Sequence, residues 1–157
     1  MKFKQLMIIT VTICISGLVA CSPSFDEFND EKIMFNVVDS KSTSEYNSYN
    51  IEIENETRFE LTHLIFTMSY PIKKSNGTKE NPFEIEGKAG NRINPVTLKS
   101  GESIQFSISA PIKEVFSDND LLDFENPHVE LKGFVKEGNK EIPFGIAGGL
   151  NILADSK

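Results

Sequence analysis

From residue 33 onward the chain keeps a two-residue rhythm, and that rhythm leaves few folds open to it. Ile33, Phe35 and Val37 alternate, and Tyr49, Ile51 and Ile53 alternate against Asn50, Glu52 and Glu54. Leu64, Phe66, Met68 and Tyr70 repeat the pattern, and Ile104, Phe106, Ile108 and Ala110 do so against serines and a glutamine. Val129, Leu131, Gly133 and Val135 form a fifth run, and Ile142, Phe144 and Ile146 a sixth. In an extended chain successive side chains point to opposite faces, so period two puts one face in a core and the other in water. That is the signature of antiparallel strands with one wet side. Turn signals separate the runs: Asn55-Glu56-Thr57, Ser75-Asn76-Gly77, Ser100-Gly101 and Glu137-Gly138-Asn139.

Two stretches depart from the rhythm. Residues 81–96 hold two prolines and two glycines, which predicts a long loop with short edge strands, since proline cannot donate to a central ladder. In residues 111–127 the apolar positions Ile112, Val115, Phe116, Leu121, Leu122 and Phe124 are spaced more as in a helix. Ser117 or Asp118 is placed to cap a short helix through Leu121 and Leu122, forming a crossover between strands of opposite sheets. The expected fold is therefore all-β: an antiparallel β-sandwich over residues 33–157 with one short helical crossover.

The start of the chain carries a different message. Lys2 and Lys4 precede an apolar run at residues 6–20 (LMIITVTICISGLVA), the arrangement of a secretory signal peptide. The run falls short of the roughly 20 residues that a helix needs to span a bilayer. Leu18-Val19-Ala20-Cys21 resembles the lipobox of bacterial lipoproteins. The resemblance implies cleavage after Ala20, a diacylglycerol on the Cys21 thiol, and an extracytoplasmic domain held at the membrane, in the outer membrane if the host has one. Two acyl chains give a stable anchor where one gives marginal binding. Residues 21–32 then read as the lipidated N-terminus and an acidic tether, which self-repulsion extends.

Composition narrows the function classes. Removing the first 20 of 157 residues leaves 137, one domain's worth, and moves the formal charge from −7 to −9 because two lysines leave with the leader. An acidic domain is a poor partner for nucleic acid. Cys14 leaves with the leader and Cys21 is taken by lipid, so thiol catalysis and cysteine zinc sites are not expected. Two further stretches are similar to immunoglobulin-like sandwiches of exported bacterial proteins. One is Val96-Thr97-Leu98-Lys99-Ser100-Gly101-Glu102-Ser103-Ile104-Gln105-Phe106; the other, from Tyr49 to Thr57, ends in Asn-x-Thr. The resemblance implies an architecture, not an activity.

Candidate chemistry is sparse. The two histidines, His63 and His128, begin different strands and, in an immunoglobulin-like order, lie at opposite ends of one sheet as surface residues. Asp118, Asp120, Asp123 and Glu125 form the densest carboxylate group, without the spacing of a calcium loop. Residues 145–149 (GIAGG) follow a strand and lack the lysine of a phosphate-binding loop, so a bulge or strand end is expected. Ile65 and Phe134 fall on outer faces of adjacent strands, where they form an exposed apolar spot suited to a partner, unless the crossover covers them. The expected function is a membrane-anchored, non-catalytic interaction module with an envelope protein as partner and no cofactor or metal. The alternative is an accessory protein that binds a small molecule or metal ion. An enzyme would need a loop carboxylate pair about 5–9 Å apart.

Overall fold

The computed structural model describes residues 28–90, 94–117 and 119–155. The leader and Cys21 lie outside the described residues. Among the described residues ten strands form: β1 (Ile33–Ser42), β2 (Asn47–Asn55), β3 (Glu60–Ser69), β4 (Ile72–Lys74), β5 (Gly77–Lys79), β6 (Ile85–Glu86), β7 (Lys88–Ala89), β8 (Ser103–Ala110), β9 (His128–Glu137) and β10 (Lys140–Gly149). One α-helix, α1 (Leu150–Ala154), follows directly on β10.

Two four-stranded antiparallel sheets result, in the orders β1-β2-β8-β7 and β10-β9-β3-β6, and β4-β5 is a separate hairpin. Those orders are the A-B-E-D and G-F-C arrangements of an immunoglobulin-like sandwich, with β6 added beyond β3. The alternating runs supply the core between the sheets. Ile51, Ile53, Leu61, Phe66, Met68, Tyr70, Phe106, Leu131 and Val135 are all buried. The register follows from this: a one-residue slip would turn each strand's apolar set to the solvent.

Several expectations need correction. Val37 is in phase with Phe35 yet 39% exposed, because β1 is an edge strand, bulged between Val37 and Asp39, and stays exposed from there to Ser42. The crossover does join opposite sheets, but its helix is a π-helical turn at Ile112–Phe116. Ser117 ends that turn in the left-handed region (φ 52°) instead of capping a later helix, and Asp118 lies outside the described residues. Residues 145–149 are the end of β10, as expected, but they do lead into a helix, a five-residue one whose first residue, Leu150, is buried. Finally, the domain begins packing before Ile33. The Phe28 ring sits edge-on to Phe59 (6.1 Å) and Phe144 (5.5 Å), and Asp30–Lys32 forms a 3-10 turn.

The strand directions define two ends. The chain enters at the end holding the β2–β3 turn, the turn before β8 and the β9–β10 hairpin. The opposite end holds the β1–β2 loop, the β4–β5 hairpin and the crossover; α1 starts there, its Leu150 amide donating to the Pro127 carbonyl, and packs on β1, where Leu153 lines a cleft with Asp30 and Ile33.

Candidate functional site

Ile65 and Phe134 both point away from the core, on the outer face of the β10-β9-β3 sheet, and are 48% and 37% exposed. The crossover lies at one end of the sandwich and leaves them open. Their cross-strand partners differ: Ile65 lies opposite Lys132, and Phe134 opposite Thr62 on one side and Pro143 on the other. They are thus diagonal neighbours, a separation of about 7–8 Å between Cα atoms that large side chains still bridge.

What joins them is His63. The pairing of β3 with β9 shifts register between Thr62 and Ile65, so three steps on β3 match two on β9. This is a β-bulge, and its cause is legible in the residues. Leu61 and Leu64 are both buried, although residues three apart on a regular strand face opposite ways. One extra residue restores the phase and places Thr62 and His63 consecutively on the outer face. His63 adopts a left-handed backbone (φ 53°), a conformation uncommon outside glycine and concentrated at functional sites. Its ring packs edge-on to Phe134 at 5.7 Å. Bulges re-aim side chains in this way.

Gly133 makes the bulge possible. A Cβ at that position would lie 2.7 Å from Leu64 Cδ2 and 2.9 Å from the Thr62 carbonyl oxygen. The space that a side chain would fill is taken by the bulged strand, so Gly133 and the aim of His63 belong to one arrangement.

Around the apolar centre the face is polar. Lys132 pairs with Glu130 at 2.6 Å, and Lys136 with Glu60 at 3.2 Å. The Thr62 hydroxyl donates to Glu141 Oε1 at 3.0 Å. The hydrogen bond to Glu130 is the main cause that raises the Lys132 pKa, so that lysine is charged at neutral pH. Beside Phe134 and Lys132 on β10 stand Pro143 and Gly145, too small to shield them. Beside Ile65 the face runs into a cleft of about 610 Å³ that His63, Val96 and Pro95 also line. An apolar centre with a charged rim is the layout of a protein-binding patch.

The other candidates stay apart. His128 pairs with Ser69 near one end of β9, far along the strand from His63, so the two rings share no site. Among the described residues no group of three or more His, Cys, Asp and Glu side chains comes together as a metal would require. Cys21 lies outside the described residues. No helix among the described residues is long and apolar enough to cross a membrane. No protein-family model matches the chain, and no curated protein matches it significantly.

Proposed function

We propose that the protein is a lipid-anchored, non-catalytic interaction module that presents the Ile65–His63–Phe134 face to a protein partner of the cell envelope. The observation that carries this reading is the exposed apolar centre itself, held by a bulge whose left-handed histidine is folded onto Phe134. The bulge serves the core by burying both Leu61 and Leu64, and it leaves His63 outside against Phe134, where the core has no use for it. A contact surface does gain, because it fixes the aromatic pair before binding and so lowers the ordering cost.

The anchor belongs to the same proposal. It is supported by the cationic start, the short apolar run and the lipobox-like Leu18-Val19-Ala20-Cys21. Phe28, the first described residue, packs on the domain and follows Cys21 by seven positions. A chain of that length reaches at most about 25 Å. With lipid on Cys21 the domain would sit close to the membrane, its entry end inward and its sheet face turned sideways to neighbours.

Recovery of the lipidated protein from its own membranes tests this, with Cys21→Ala as the anchoring control. A partner should co-purify with the anchored form and be lost from the doubly substituted Ile65→Ser, Phe134→Ser protein, whose strand content is checked by circular dichroism. If the same proteins are recovered with the double variant, the face is not the interaction surface. If Cys21→Ala stays in the membrane fraction, the anchor reading fails.

A further inference from the structure

A second feature, at the end opposite chain entry, goes beyond this reading. Between the β1–β2 loop and the crossover lies a cleft of about 560 Å³. Two aromatic residues, Tyr49 and Phe124, and two carboxylates, Asp120 and Glu125, line it. Its floor is fixed by hydrogen bonds. Asn47, 4% exposed, donates from Nδ2 to the Tyr70 hydroxyl at 3.2 Å and accepts at Oδ1 from the Ser42 hydroxyl at 2.7 Å. Tyr49 lies near enough to Tyr70 for each to affect the other's ionisation. Phe124 is held from behind by the Tyr70 ring at 4.9 Å and the Phe116 ring at 5.9 Å. The Phe124 side of the wall is therefore backed by the rings of Tyr70 and Phe116.

Asp120 and Glu125 are not used by that construction. Both are exposed, and among the described residues neither takes part in an ion pair or a side-chain hydrogen bond. The lining excludes several ligand classes. An anion meets two carboxylates on a chain of net charge −7. A purely apolar ligand would strip water from those carboxylates without replacing it. A metal ion would need a cluster of ligands that the described residues do not form. An aromatic wall beside carboxylates suits one class well, because a soft cation gains from ring faces and from charge at once.

We infer that this cleft binds a small organic cation, an amine or quaternary ammonium group, with Tyr49 and Phe124 as ring walls and Asp120 and Glu125 as charge partners. Such a ligand lies against the hydroxyl-lined floor with its charge toward the crossover. The site is separate from the Ile65–Phe134 face.

The test is calorimetric titration of the full-length protein in a neutral detergent with spermidine, with choline, and with glucose as an uncharged probe. At least one cation should bind saturably at one equivalent. The Asp120→Asn, Glu125→Gln variant alters two exposed side chains without changing their size, and should weaken that binding about tenfold or more. Raising the salt from about 50 to about 500 mM should weaken it as well, because the site is open to solvent. The inference is overturned if neither cation saturates below about 10 mM, if the double variant binds as well as the parent, or if glucose binds and the cations do not.

Discussion

At the end where the chain enters, Asn55 is fully buried and its side chain makes four hydrogen bonds. Nδ2 donates to the carbonyls of Phe59 (2.8 Å) and Leu98 (3.1 Å), and Oδ1 accepts from the Thr57 amide (3.1 Å) and hydroxyl (2.6 Å). Its backbone adds bonds to Glu102 and Gly101. At the opposite end the corresponding place is taken by rings: Tyr70, Phe116 and Phe124 pack edge-to-face at 4.9–5.9 Å, and Phe83 joins Phe116 at 5.5 Å. Hydrogen bonds are directional and allow one arrangement, whereas ring contacts are worth about as much over a range of angles. The difference shows at the surface. Among the described residues the entry end exposes no large apolar side chain, while the far end exposes Phe83, Val115 and Leu121. The far end also holds the π turn and the left-handed Ser117. One end is locked, and the other is adaptable and carries the cleft.

If the contrast is right, the entry end breaks hardest. Asn55→Ala leaves the Phe59 carbonyl and the Thr57 amide without their buried partner and should cost about 3 kcal/mol, seen as a lower urea midpoint. At the far end Phe116→Ala removes a half-buried ring with three aromatic neighbours. It should cost about 2 kcal/mol, less than a fully buried phenylalanine, because the remaining rings can close in. A larger loss for Phe116→Ala than for Asn55→Ala would break the comparison.

The smallest effect sharpens it through pH. Burial is the main cause that raises the Tyr70 pKa, with the nearby Tyr49 adding to it, and burial raises Tyr49 as well. A group whose folded pKa lies above its unfolded value stabilises fully below the unfolded value, about 10 for tyrosine. That contribution is lost as the pH rises toward the folded value. Stability should therefore hold to about pH 9 and decline above about pH 10. Tyr70→Phe should cost about 1 kcal/mol at neutral pH, from the Asn47 bond, and flatten the alkaline decline. Denaturant midpoints at the two pH values check this, and an equally steep decline in the variant would show that Tyr70 is not its source.

Much of this was legible in the residues. The alternating runs gave the inward set and the turns gave the ends, because alternation is a property of the extended backbone itself. Phase alone also put Ile65 and Phe134 outside. His63 was legible too, but from a signal easily passed over: Leu61 and Leu64, both apolar, stand three apart on a strand that needs two. Read as a plain surface histidine, it hides the bulge. Tyr49 and Phe124 carry no such signal, since nothing local says that a strand residue and a crossover residue meet.

The sequence by itself determined the long strands, most of their buried faces and the all-β sandwich class, consequences of covalent geometry acting between near neighbours. Tertiary structure decided the rest: that Gly133 makes room for the bulged Leu64, that Asn55 reaches Leu98 some 43 residues on, that Phe28 docks on Phe144, and that Phe124 comes to wall a cleft with Tyr49. The reason is physical. Those contacts join residues far apart in the chain, and their geometry exists only once two sheets have been brought face to face.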